Sequence, residues 1–284
     1  MSHSITILNT RSILLCSIVI LLMSASIASY AQPKKTYEIG IFPHLSKSHL
    51  ENTYQSIIDD LSEATDKPIH FDADENIANF HFKLKNQHYD VVMVQPFDYI
   101  EIERKFGYIP LASQNKPLRA LIVAKKGGAI QTIQNLLGRK LLLPPDSTAV
   151  TYLTKKHFHD FGFNIFNDLI IRYERTHIAC LQKLLLSFTD ACATPQGALD
   201  YFERRMEVKF QVISQTLEIP HTLFAVHPRV PQSHHAKLTN ALIKWSDTPA
   251  GKKVLANKKI VPFNKIDDKA YDIVRSIKKE VDGY

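Results

Sequence analysis

The chain has 284 residues, 45% of them hydrophobic, with a formal net charge of +7. That length and composition build an ordinary packed core, in one large domain or two of usual size, and exclude a low-complexity or disordered polymer. The Lys and Arg residues are scattered apart from short runs such as Lys252-Lys253 and Lys258-Lys259. There is no arginine-rich stripe and no interleaving of basic and aromatic residues, so nucleic acid is not an expected partner.

Residues 1–31 read as a cleaved secretory signal peptide. Arg11 precedes an apolar run from Ser12 to Met23, and Ser29-Tyr30-Ala31 sets small residues where a signal peptidase cuts, before Gln32. The run is shorter than the roughly 20 residues of a spanning helix. Leu15, not a small residue, precedes Cys16, which argues against a lipoprotein anchor. Loss of Arg11 with the leader lowers the net charge from +7 to +6. The mature chain is then expected in the periplasm, where a basic surface draws anions toward a cleft.

After the leader, residues 37–42 read as a first strand, and Pro43-His44-Leu45-Ser46 as a turn. Leu50, Tyr54, Ile57, Ile58 and Leu61 then fall on one face of a helix capped by Ser46 or Ser48. Residues 68–71 start a second strand and 76–85 a helix. Asp90 leads into the apolar run 91–94, as expected of a central strand covered on both faces. Gln95-Pro96 ends that strand and opens a helix, since Pro is tolerated in the first turn. Further strands are predicted at 121–124, 140–143, 169–173 and 222–226. Helices lie between them, one of them capped by Gly138 after Leu137. The C-terminal remainder reads as helical, with Trp245 on one helix face. This alternation predicts an α/β fold with two mostly parallel sheets flanked by helices.

In such sheets the ligand crevice lies at the carboxyl ends of the strands, where helices begin. Three starts stand out. Ser147-Thr148-Ala149 offers two hydroxyls and free backbone N–H groups, which suit an oxyanion; an ordinary cap by Asp146 or Ser147 reads the same residues without a ligand. Thr176-His177 repeats the arrangement, as an anion contact or as a cap beside a surface histidine. Gln95 and Tyr99 follow the central strand and can hydrogen-bond a ligand, although Tyr99 also fits as a packing residue of its helix.

Cys180 and Cys192 are the two cysteines left after cleavage. In an oxidising compartment they form a disulfide, remain buried thiols, or join His177 in a soft-ligand site. His157/His159 and His234/His235 lack metal-ligand spacing. No nucleophile elbow, phosphate loop or His-Glu-x-x-His motif occurs, so no catalytic residue, cofactor or metal is assigned.

Six stretches in register resemble the periplasmic phosphonate/phosphite-binding proteins of ABC transporters, within the type II periplasmic-binding-protein fold. They are Ile39-Gly40-Ile41-Phe42-Pro43; Tyr89 to Tyr99 with Gln95-Pro96; Leu136-Leu137-Gly138-Arg139-Lys140; Thr176-His177 to Asp190-Ala191; Ile219-Pro220-His221-Thr222 with Val226-His227-Pro228; and Thr248-Pro249-Ala250-Gly251. The resemblance implies two lobes, residues 35–117 plus 224–284 and residues 118–223, hinged about a cleft that holds a small anion. It implies contacts from Ser147, Thr148, His177 and Tyr99 and delivery to an ABC permease; Gln95, read from its place after the central strand, and Ala149 and Thr222, which stand where the family has other residues, are candidate contacts beside them, and a monomer is expected. Five departures are visible, one of them the absence of the family's tyrosine at the second helix start, near Asn76 or Ile77. Ala149-Val150 replaces the Ser-Gly of the anion loop, Gln95 replaces a glycine, Thr222 replaces an acid, and the cysteine pair is an addition. A second expectation is therefore a sensor or accessory protein that reports ligand to a membrane histidine kinase.

Overall fold

The computed structural model describes residues 36–74 and 76–283, so the signal-peptide reading lies outside the described residues. No helix among the described residues is long and apolar enough to cross a membrane.

Two sheets organise the chain. In the first, β1 (Tyr37–Ile41) pairs in parallel with β2 (Ile69–Asp72) and β3 (Val91–Val94). Next, β10 (Leu223–Val226) runs antiparallel between β3 and β4 (Ile109–Gln114), and β11 (Phe263–Lys265) extends β4 at the edge. In the second sheet, β6 (Lys140–Leu143) pairs in parallel with β7 (Ile170–Tyr173) and β8 (Ala191–Thr194). There β5 (Leu121–Lys125) runs antiparallel between β8 and β9 (Phe210–Gln215). The two-sheet α/β architecture is the expected one, and both sheets are mixed. The antiparallel share comes partly from β4, β9 and β11, which the periodicity does not reveal. Pro110 inside β4 cannot donate to the ladder, and a register shift opposite Phe224/Ala225 accommodates it.

Buried strands and amphipathic helices alternate. The parallel strands β1, β2, β3, β6, β7 and β8 feed α1 (Lys47–Thr65), α2 (Ile77–Lys85), α3 (Pro96–Phe106), α4 (Ala149–Asp160), α5 (His177–Leu185) and α6 (Gln196–Met206). After β10 come α7 (Gln232–Asp247), α8 (Pro249–Lys258) and α9 (Asp272–Val281). One core cluster packs α1, α7 and α8 on the first sheet, and another packs α5 and α6 on the second. A third runs from one sheet to the other through α3, α4 and α9. Within it, Phe97 of α3 stacks on Tyr152 of α4 with centroids 4.3 Å apart.

The two sheets start alike. Asp90, fully buried ahead of β3, accepts the Glu38 N–H of β1 at 2.7 Å and is also bound by Arg229 Nε at 2.5 Å. Asp190, ahead of β8, accepts the Lys140 N–H of β6 at 2.8 Å. A carboxylate bonded to an amide at the start of the neighbouring strand sets strand register by a strong charge-assisted bond. The chain passes between the sheets at 115–120 and at 216–222. Leu118 and Ile219 exchange backbone hydrogen bonds of 2.9 Å there, which ties the two crossings together.

Cys180 of α5 and Cys192 of β8 are joined as a disulfide with Cα atoms 5.9 Å apart, and both are fully buried. The bond fastens the start of α5 to the strand beneath it. Unreduced protein is expected to show no alkylatable thiol at either position. Changing both residues to serine is expected to lower unfolding stability by about 2–3 kcal/mol, the loop-closure value for so short a loop. Native labelling of both thiols, or an unchanged urea midpoint in the double variant, would contradict the bridge.

Candidate functional site

The parallel strands of each sheet end where their helices begin, and the two sets of ends meet at β3–α3 and β6–α4. The N terminus of α4 accounts for nearly all its own donors. Thr148 N–H donates to the Pro145 carbonyl at 2.9 Å, and Thr151 N–H to the Thr148 carbonyl and side chain. Thr151 Oγ1 donates to the Pro144 carbonyl at 3.0 Å. The Ala149 N–H donates to Gln95 Oε1, from the other sheet, at 3.3 Å. Among the described residues this leaves the Val150 N–H and the half-buried Ser147 hydroxyl without a partner.

The cap is therefore Thr148, not Asp146 or Ser147, because its extended backbone (φ −85°, ψ 150°) aims its oxygen at Thr151. Asp146 is drawn outward by Lys155 Nζ at 2.6 Å and the Tyr173 hydroxyl at 2.9 Å.

Thr176 caps α5, its side chain accepting the Ala179 N–H at 3.0 Å. This places His177 at the first helical position. Its Nδ1 is buried without a partner, and desolvation lowers its pKa to about 4, so the ring is neutral at pH 7. His177 lies three residues before Cys180, hence on the same helix face. Thr194 lies two residues after Cys192, hence on the same strand face. The disulfide ties the helix face that carries His177 to the strand face that carries Thr194, and at the end of β8 the fully buried Thr194 Oγ1 also lacks a partner. Thr194 had no sequence signal: a lone threonine ending an apolar run reads as core.

Two more imidazoles lie at the junction, and neither was singled out from the sequence. His221, on the second crossing, accepts the Thr222 N–H at Nδ1 (2.8 Å), so Nε2 carries its proton. Burial, with a smaller contribution from nearby His44, lowers its pKa to about 4. His44 follows β1, contacts the Phe42 carbonyl through Nδ1 at 2.9 Å, and has its own pKa lowered by desolvation. Thr222 is half-buried beside them; its carbonyl accepts from Gln114 N–H at 3.0 Å.

Tyr99 is a correction. It is fully buried, its ring lies 4.8 Å from that of Tyr271, and its hydroxyl donates to Asp268 Oδ1 at 2.8 Å. An acceptor carboxylate from the segment before α9 holds it in the core, so it does not present a donor at the strand ends. The histidine pairs also diverge: His157 contacts Ser214 Oγ at 2.7 Å, and His234 contacts the Tyr37 hydroxyl at 2.8 Å. Among the described residues no group of three side chains is set to hold a metal ion.

Buried polar side-chain atoms are normally hydrogen-bonded. Six described ones are not: His81 Nε2, Gln95 Nε2, Asp98 Oδ2, His177 Nδ1, Thr194 Oγ1 and Trp245 Nε1. All but the last sit at strand carboxyl ends or in the first two turns of the helices that follow. His81 and Asp98 still approach each other at 3.0 Å. Among the described residues, the buried side-chain atoms without a partner thus lie mostly at strand carboxyl ends and in the early turns of the helices that follow.

These histidines set a pH dependence. In the unfolded chain each protonates near its ordinary value of about 6.5, whereas folded His177, His221 and the buried His227 protonate only near 4. Folded stability is therefore complete above about pH 6.5 and is lost progressively as pH falls toward 4. Urea midpoints measured across that window should fall with acidification, and His177→Gln should make the fall shallower by about one proton. An identical slope in the variant would contradict a desolvated His177.

The sequence model of the periplasmic substrate-binding proteins of phosphonate ABC transporters matches residues 39–271. No curated protein matches this sequence. Among solved structures, the binding-protein component of an ABC phosphonate transporter from Pseudomonas aeruginosa superposes with a TM-score of 0.74 at 14% identity. That alignment covers 87% of this chain and 86% of the other. A Prochlorococcus marinus protein solved in complex with methylphosphonate gives 0.75 at 14% identity, covering 88% and 99%. The periplasmic aliphatic sulphonate binding protein of Escherichia coli gives 0.61 at 12% identity, covering 87% and 91%. At these identities the structures speak for the fold, whereas the sequence match spans most of the chain. The protein belongs to the phosphonate family of periplasmic substrate-binding proteins of ABC transporters.

Proposed function

We propose that this chain captures a small oxyanion of the phosphonate, phosphite or phosphate kind between two lobes and delivers it to an ABC permease. The lobes are residues 35–117 plus 224–284 and residues 118–223, and the paired crossings at Leu118 and Ile219 serve as the hinge. A signal peptide over 1–31 and a monomeric state complete the reading. The observation that carries it is the set of buried, partnerless polar atoms of Gln95, His177 and Thr194 at converging strand ends. A ligand with several acceptor oxygens satisfies such donors. Methylphosphonate, held by the Prochlorococcus marinus protein of the same fold, has that chemistry.

In this reading Ser147 and the Val150 N–H bind one side of the anion from the second lobe, and Thr148 and Ala149 shape the turn that presents them. His177 donates through a neutral ring, while His221 and Thr222 close the hinge side. Each neutral donor to a charged oxygen contributes about 1.5–3 kcal/mol.

Isothermal titration of the purified protein with methylphosphonate, phosphite, phosphate and sulfate is expected to give saturable binding for at least one of the phosphorus anions. His177→Ala is expected to weaken it by about tenfold or more, the value of one such bond. An absence of heat and of thermal shift with all four would contradict the proposal.

A further inference from the structure

Gln95 ends β3 in the first sheet, and its side chain crosses to the second, where Oε1 accepts the Ala149 N–H at 3.3 Å. A backbone N–H can face only an acceptor, so this contact decides which end of the carboxamide is oxygen. The amide nitrogen is thereby turned away from α4. It is buried and has no partner, on a side chain only 9% exposed. Leaving a buried amide donor unsatisfied is costly, and such groups call for an acceptor that the protein itself does not supply.

Building on the oxyanion reading above, we propose that Gln95 is a ligand-contacting, specificity-determining residue that works as a relay. It takes the donor at the start of α4 on its oxygen and offers Nε2 to the ligand in its place. The carboxamide does what one more peptide unit would do at the helix end. Its carbonyl is polarised by the positive end of a 12-residue helix, and that polarisation makes Nε2–H a stronger donor. The Ala149 donor consequently reaches the anion only through an uncharged amide that comes across from the first sheet. The Thr148 N–H, the Thr151 N–H and the Thr151 hydroxyl are met internally, through Thr148 and the Pro144 and Pro145 carbonyls, which leaves the Val150 N–H beside the relay. The Gln95 amide thus adds a donor to the seat that Ser147 and the Val150 N–H offer. Because Gln95 belongs to one sheet and Ala149 to the other, the relay is complete only when the two are together, so ligand contact and closure become one event.

Two variants test this with methylphosphonate, phosphite and inorganic phosphate as probes. Gln95→Ala removes the relay. Ala149→Pro removes the donor that anchors it, at a first helical position where proline fits and after Thr148, whose extended backbone suits a residue before proline. The relay predicts about 10- to 100-fold weaker binding for Gln95→Ala, the worth of a hydrogen bond to a charged oxygen. It predicts a smaller loss for Ala149→Pro, and a double variant no weaker than Gln95→Ala alone. It also predicts that, without ligand, the Ala149 N–H exchanges with solvent faster in Gln95→Ala than in the unaltered protein. Equal or tighter binding by Gln95→Ala would overturn the relay and make Gln95 a plug that a ligand displaces. Additive losses in the double variant, or unchanged Ala149 exchange, would overturn it as well. If the unaltered protein binds none of the three probes, the oxyanion reading falls and takes the relay with it; binding by that protein together with an unimpaired Gln95→Ala removes the relay alone.

Discussion

A helix that starts directly after a buried strand carries backbone donors into a place where water is scarce, and each must find an acceptor. In this protein that constraint acts from two sheets at one junction. The paired crossings at Leu118 and Ile219 keep the sheets adjacent, and the core through α3, α4 and α9 is continuous between them. Thr148 and Thr176 meet part of the demand as caps. Gln95 meets another part from across the gap. What is left unmet among the described residues, chiefly Gln95 Nε2, His177 Nδ1 and Thr194 Oγ1, is where we propose that an outside molecule binds.

The charge character of the junction follows from its burial. Three histidines of the fold have pKa values lowered to about 4 by desolvation, two of them at the junction. The net positive charge of the chain resides elsewhere, on scattered lysines and arginines. In the proposed function, long-range attraction and local recognition are thus separated: the exterior would draw anions in, and neutral donors of fixed direction would receive them. The carboxylates with the firmest structural roles, Asp90 and Asp190, sit at the opposite ends of the strands. There they tie each central strand to its neighbour.

Much of the architecture was legible because its signals are local. The apolar run 91–94, the helical spacing of Leu50, Tyr54, Ile57, Ile58 and Leu61, and the Gln95-Pro96 transition each report a nearest-neighbour environment. Strands that owe their existence to partners far along the chain were not legible. The strand β4 contains Pro110, β9 has no fully buried residue, and β11 spans only three residues. The site divides the same way. Thr148, His177 and Gln95 stand at helix starts, which sequence marks. His44, His221 and Thr194 are brought in by tertiary packing, and an isolated histidine or threonine carries no such mark. Tyr99 occupied the expected position and faced elsewhere, because Asp268, distant in sequence, supplies its acceptor. The cysteine pair was visible as a pair, but its placement of α5 over β8 needed the fold.

The central claim is that ligand binds where the strand ends of both sheets converge. Side-chain NMR of the imidazole rings tests it most directly, because histidines report from both inside and outside that junction. On addition of methylphosphonate, the ring signals of His44, His177 and His221 should shift together and saturate. Those of His70, His88 and His234, which lie in contact with Glu38, Asp72 and Tyr37, should stay in place. Saturable shifts confined to the second group, with the first unmoved, would contradict the account.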